Sequence, residues 1–235
     1  MRDFFKIVAL LGIGIRFDPA FAKEEIDLFV EDNSVPPIYF NQQGQFAGSA
    51  RELLDMFART QAIAFHYRLL PPKRLRNLSQ RNDRSVQCFF PDNPAWSHTP
   101  PSPPDLAYSK PVFFVTEGLY VLPTDWNRSR WRPQVIGVVN GWTPVPLLAD
   151  IRHNKYQVVY AQSLENLFAM LTRHRVDAVY ANSAVTGSQF VLDIRLPHFR
   201  TDYRLSCRNG HSVLDRFNRF MRQNSHTLDS VVLFY

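Results

Sequence analysis

The sequence predicts an α/β chain built from two similar halves, and three observations carry that reading. A run of strand, helix, strand, helix, strand occurs over residues 26–90 and again over residues 135–180. The helices in both runs keep their apolar residues at i, i+3 and i+4 spacing, as helices covering one face of a sheet do. Between the runs lies SKPVFFVTEGLYVL, residues 109–122, whose Val, Phe and Tyr favour extended chain. It reads as two strand segments, 111–115 and 118–122, hinged at Thr116 and Glu117, where a strand leaves one sheet and enters another. One long strand in a single sheet is the other reading.

Length and composition agree with this. With 235 residues, 45% hydrophobic and 20% charged, the chain can bury one sizeable core or two small ones. Its start stands apart: MRDFFK is basic, residues 7–15 are apolar and Gly, and Ala20-Phe21-Ala22 has the small-x-small form of a cleavage site. We read residues 1–22 as a secretory signal and expect a periplasmic mature chain. The apolar run is too short to span a bilayer, which takes about 20 residues. Arg16 and Asp18 leave an uncleaved anchor as the alternative.

In the first half, residues 26–31 form a strand, and Asp32-Asn33-Ser34 with Pro36-Pro37 forces a turn that delivers Tyr39 and Phe40. Gly44 and Gly48 bracket a second turn. Ser49 with Glu52 makes a capping-box pattern, opening a helix whose Ala50, Leu53, Leu54, Phe57 and Ala58 share one face. Residues 65–70 are the next strand. Pro71-Pro72 opens a short basic helix through Arg74, Leu75 and Leu78, and residues 86–90 are the third strand. Seven prolines between 91 and 111 rule out helix or central strand there. That segment reads as a polyproline surface loop, or as a loop placing Trp96 and His98 over a cleft.

In the second half, residues 135–139 form a strand and Asn140-Gly141-Trp142 a turn. Thr143-Pro144 reads as a helix start, with Leu147, Leu148 and Ile151 inward. Residues 157–160 are a strand, and Ser163 caps a helix carrying Leu164, Leu167, Phe168 and Leu171. Residues 176–180 are the third strand, with Asp177 at its start. The tail returns as a strand over 199–207 and ends in a helix capped by Ser212, with Leu214, Phe217, Phe220 and Met221 inward.

Export sets the meaning of the two cysteines. In an oxidising compartment Cys88 and Cys207 are expected to pair, with two unpaired core thiols as the alternative. Metal binding is not expected: Cys207 and His211 stand four apart without a second such pair, and the seven histidines are scattered. The formal charge is +6, or +5 once the leader's three basic and two acidic residues are gone. Arg128, Arg130 and Arg132 could form a nucleic-acid strip, but an exported chain rarely meets nucleic acid, and a solvated loop face is the preferred reading. No nucleophile elbow, Walker loop, HExxH or dinucleotide fingerprint occurs, and no cofactor is expected.

The succession VEDNSVPPIYFNQQGQFAGSARELLDMFA, LPPKRLRNL, PVFFVTEGLYVL, VIGVVNGWT, SLENLFAMLTRHRVDAVYAN and SVLDRFNRFMRQN resembles the type 2 periplasmic solute-binding proteins, extracellular family 3, which include amino-acid receptors of ABC transporters. The resemblance spans the mature chain. It implies a type 2 periplasmic binding protein fold: two lobes, each a mixed sheet flanked by helices, joined by two hinge crossings and closing on a ligand. Lobe 1 would be 23–116 with 202–235, and lobe 2 would be 117–201. A monomer is expected, working with an inner-membrane ABC permease or a sensor.

The departures from that family bear on the ligand. Its amino-acid receptors carry a carboxylate-clamping arginine between the third strand and the crossover, and residues 91–109 here hold no Arg or Lys. They place an aspartate for the ammonium where Asn182 stands. An α-amino acid is therefore doubtful, unless Arg74 supplies the charge. The expected ligand site is Tyr39, Phe40, Arg74, Trp142, Thr143 and Asn182, with Phe89 and Phe90 near it or in the core. The backbone N–H groups of Trp142 and Thr143 would face an anionic oxygen. The expected function is capture of a small polar or aromatic solute for ABC-type uptake. The alternatives are a sensor or accessory protein without a transporter, and a dehydratase using Glu117 or Glu31 as general acid.

Overall fold

In the computed structural model, strand and helix alternate from the first described residue; residues 24–81, 88–96, 106–128, 131–184, 189–208 and 211–224 are described. The expected leader, His98 and Arg130 lie outside these.

The first repeat is β1 (Glu24–Glu31), the hairpin β2 (Phe40–Gln42) and β3 (Gln45–Ala47), α1 (Ser49–Thr60), β4 (Ile63–Leu70), α2 (Pro72–Ser79) and β5 (Cys88–Asp92). β6 (Leu106–Tyr108) leads to β7 (Phe113–Val121) and a helical turn, α3 (Pro123–Trp126). The second repeat is β8 (Val135–Val139), α4 (Leu148–Arg152), β9 (Gln157–Ala161), α5 (Leu164–Thr172) and β10 (Ala178–Asn182). β11 (Val191–Leu192), β12 (Phe199–Arg208) and α6 (His211–Gln223) complete the described chain.

The sheet runs β4-β1-β5-β12-β7-β10-β8-β9. Read outward from the centre, each half has its third strand inside, its first next and its second at the edge. The pairs within each repeat are parallel, as connections through α1, α2, α4 and α5 require. The two central strands are antiparallel and belong to both lobes. β12 pairs with β7 from Phe199 to Tyr203 and with β5 from Arg204 onward, with a register shift between Arg204 and Ser206. β7 is one continuous nine-residue strand rather than two segments. At Glu117 it changes neighbour, pairing with β12 before that point and with β10 after it. The partner change needs no break because β7 offers a different edge to each strand.

Each lobe has its own core. Ala50, Leu53, Leu54, Phe57 and Ala58 of α1 are buried against the first sheet with Phe217 and Phe220 of α6. At roughly 1.5–3 kcal/mol per fully buried large apolar side chain, this face is what holds α1 in place. Leu164, Leu167 and Leu171 of α5 do the same in the second lobe. Cys88 and Cys207 face each other on neighbouring strands and form a disulfide.

Local capping differs in places from the sequence expectation. Ser163 caps α5 by accepting from Asn166 N–H at 3.3 Å. Ser49 does not cap α1: Gly48 takes the cap position, and Ser49 Oγ turns to the Pro37 carbonyl at 3.4 Å. Pro144 does not start the α-helix, because a 3₁₀ turn over Val145–Leu147 comes first and α4 begins at Leu148. Arg128 is exposed and lies 3.5 Å from Asp125. No helix among the described residues is long and apolar enough to cross a membrane.

Candidate functional site between the lobes

A cavity of about 50 Å³ lies where the carboxyl ends of the parallel strands of both lobes meet. Open α/β sheets bind ligands at that end, because the turns leaving the strands diverge there. The first lobe contributes Glu31 from the end of β1, Tyr39, the α2 residues Pro72, Leu75, Arg76 and Ser79, and Phe89, Pro91, Asp92 and Trp96. The second contributes Gly141, Trp142 and Thr143 from the turn after β8, and Tyr180 from β10. Glu117 and Tyr203 come from the two shared strands.

Two hydrogen bonds join the lobes across this cavity. Trp142 Nε1 donates to Glu31 Oε1 at 2.9 Å, and Tyr39 Oη donates to the same oxygen at 3.1 Å. Arg76 Nε donates to the Gly141 carbonyl at 3.1 Å, while its Nη1 donates to the Trp96 carbonyl. Gly141 lies against the α2 start so closely that a Cβ there would stand 2.3 Å from Lys73 N and 2.5 Å from Lys73 Cα. Its φ of +103° also favours glycine. The Trp142 ring packs against core residues of both lobes. The lobes are therefore closed on each other.

Two buried carboxyl groups, Glu31 and Glu117, and the half-buried Asp92 face the cavity. Burial pushes Glu117 up to about 7; the Tyr180 hydroxyl, which donates to it, pulls the other way, and neighbouring Glu31 adds to the rise. Burial likewise raises Asp92 to about 6, against Ser206 Oγ donating at 2.6 Å and nearby Arg76. Glu31 is raised by burial too, in spite of the donors Trp142 and Tyr39 and the charge of Arg76. Tyr39, Tyr180 and Tyr203 are pushed well above the usual phenol range, first by burial and then by these carboxylates. They stay neutral throughout the physiological range.

Of the residues singled out in the sequence, Tyr39, Trp142 and Thr143 line the cavity. Phe40, Arg74 and Asn182 do not. Phe40 follows Tyr39 in extended chain, so it faces the opposite way, into a surface groove beside the β2–β3 hairpin and α1. Arg74 is exposed, and Arg76, about 200° further round α2, points inward. Asn182 is buried one layer back, where it donates to Tyr203 Oη at 3.0 Å. The Trp142 N–H does not await an anion, because it donates to the Val139 carbonyl at 2.9 Å and closes the turn. Phe89 lines the cavity, whereas Phe90 belongs to the core. Trp96, in the 3₁₀ turn Pro94–Trp96, reaches the cavity, so this part of the proline-rich segment is not plain surface loop.

Arg76 had a readable signal. Pro72, Leu75, Arg76 and Ser79 stand at i, i+3, i+4 and i+7, the stripe a helix turns toward one neighbour. Tyr180, Tyr203 and Asp92 carried none, since their role depends on which strands come together.

No family model matches the chain, and no curated protein matches it in sequence at a significant level. Solved structures do. An ancestral arginine-binding protein bound to arginine superposes with a TM-score of 0.68 at 15% identity, covering 89% of this chain and 97% of that one. An amino acid ABC transporter substrate-binding protein from Streptococcus pneumoniae, bound to L-arginine, gives 0.68 at 15%, covering 88% and 92%. An ancestral amino-acid-binding protein, a precursor of cyclohexadienyl dehydratase, gives 0.69 at 15%, also covering 88% and 92%. Strand order, shared central strands and superposition over 88–89% of the chain together identify the fold as the two-lobed one of amino-acid substrate-binding proteins.

Proposed function

We propose that this chain is a periplasmic solute-binding protein that captures a small polar or aromatic ligand between two lobes, for uptake through an inner-membrane ABC permease. The observation that carries this reading is the cavity at the strand ends of both lobes, bridged by Trp142–Glu31 and Arg76–Gly141. Contacts of that kind form only when the lobes close, so a ligand touching both sides shifts the protein toward the closed form. An arginine-binding protein and an amino acid ABC transporter substrate-binding protein among the structural neighbours support the same role.

In this reading lobe 1 is 23–116 with 202–235 and lobe 2 is 117–201. Residues 1–22 are a cleaved leader, the mature protein is a monomer, and closing involves no chemistry. Thermal-shift screening against amino acids, amines, aromatic acids and small peptides tests the role. A true ligand at 100 times its Kd stabilises by about 2.7 kcal/mol. A neighbouring sensor-kinase gene in place of a permease gene would assign the same binding to signalling.

A dehydratase is the second reading, favoured by one observation: Glu117, held near 7 in a buried cavity, suits a general acid. The neighbour named as a dehydratase precursor points the same way. Turnover of arogenate or prephenate by the purified protein would establish it, and its absence leaves binding alone.

A further inference from the structure

We propose that the cleft recognises a compact organic cation, an amine that carries no carboxylate; this rests on the solute-binding reading above. Glu31, Asp92 and Glu117 face the cavity, and Arg76 is the one basic side chain among the described residues lining it. Arg76 is committed: its Nε and Nη1 donate to the carbonyls of Gly141 and Trp96. Its charge also acts most strongly on Asp92 and then on Glu31. The guanidinium thus offsets one carboxylate and closes the lobes, and two acids remain without a counter-charge. An entering carboxylate would meet those acids. An entering ammonium supplies what they lack.

The remaining lining fits the same ligand. Tyr39, Phe89, Trp96, Trp142, Tyr180 and Tyr203 place six aromatic rings around the carboxyl groups. Ring faces attract a cation, most strongly where water is excluded. Phenol and indole donors already hold Glu31 and Glu117 through Tyr39, Trp142 and Tyr180, fixing their oxygens for a nitrogen. A metal ion is the competing cation, yet the described residues contain no group of three His, Cys, Asp or Glu able to hold one. The cavity is narrow, about 50 Å³, so the ligand is compact.

Binding then moves a proton. The groups facing Glu117 are the carboxyl of Glu31 and the phenols of Tyr39, Tyr180 and Tyr203, none of them cationic. An ammonium beside Glu117 favours its charged form, so at pH 6 the protein releases a proton on binding, and affinity rises between pH 6 and pH 8.

The test is calorimetric titration of the purified protein with matched pairs that differ in the α-carboxylate: agmatine and L-arginine, histamine and L-histidine, tyramine and L-tyrosine. The expected result is at least one amine with a Kd ten or more times lower than its amino acid. Buffers of different ionisation enthalpy should report proton release at pH 6. Glu117→Gln should weaken that amine at least tenfold and reduce the proton release, with an unchanged circular dichroism spectrum. Should Glu117→Gln fail to fold, Glu31→Gln reports the same loss of affinity. Tighter binding of the amino acid in every pair overturns the inference and leaves solute binding intact. Silence toward all six compounds overturns the inference, and silence toward the wider solute screen as well removes the binding reading itself.

Discussion

Trp142 Nε1 donates to Glu31 Oε1 at 2.9 Å, from a turn in one lobe to a strand end in the other. The bond exists only while the lobes are closed, and it serves a buried carboxyl group whose other donor is Tyr39 at 3.1 Å. Trp142→Phe keeps an aromatic ring and removes the N–H. The lobes are expected to fold and melt as before, because neither core depends on this bond. Ligand affinity should fall about 10- to 100-fold, the cost of leaving a buried acceptor short of a donor. Calorimetric titration beside a thermal melt without ligand separates the two effects.

Glu117 gives a stability profile of unusual sign. Its carboxyl group sits at about 7 in the folded protein against an ordinary 4.5. Between those values the folded chain holds a proton that the unfolded chain has released, so stability falls as pH rises through the window. The loss by pH 8 is about 3 kcal/mol for Glu117, and Asp92, raised to about 6, acts in the same direction. Urea unfolding of the ligand-free protein at pH 5 and pH 8 should show this fall, and Glu117→Gln should reduce it. A rise in stability from pH 5 to pH 8 would mean that these carboxyl groups are not buried as described.

The disulfide ties the third strand of the first lobe to the strand that returns to it, Cys88 to Cys207 across 119 residues of sequence. By loop entropy, a link spanning that much chain stabilises by about 4 to 5 kcal/mol. The Cys88→Ser, Cys207→Ser double variant is expected to lose most of that in urea unfolding. A loss under about 1 kcal/mol would mean that the strands hold each other without the bond.

The repeat of strands and helices was legible because periodicity is a local property. Val135–Val139 and the Ser163 cap stand where the sequence puts them. What the strands do together was less legible. β7 shows a polar interruption at Thr116-Glu117, which reads as a break, yet the strand continues because β12 and β10 satisfy it from two edges. The site was half legible for the same reason. Tyr39 and Trp142 follow turns at strand ends, the positions from which side chains reach a cleft. Arg74 and Arg76 are alike by composition, and only the stripe through Pro72, Leu75 and Ser79 separates them. Tyr203 and Asp92 reach the cavity through the pairing of β12 with β7 and β5, which no local pattern encodes.

The central claim is that the lobes close on a ligand held between them, and Gly141 offers the most direct test. Gly141→Ala places a methyl group against the Lys73 backbone of the opposite lobe, where a Cβ would stand 2.3 Å from the nitrogen. Within its own lobe the change costs the strain of an alanine at positive φ, about 1–3 kcal/mol. Small-angle X-ray scattering of wild type and Gly141→Ala, each with and without the ligand that most raises the melting temperature, is the decisive measurement. The account predicts a smaller radius of gyration for liganded than for ligand-free wild type, and a larger, ligand-insensitive radius for the variant. Equal radii for the two proteins, with full ligand affinity in Gly141→Ala, would contradict it.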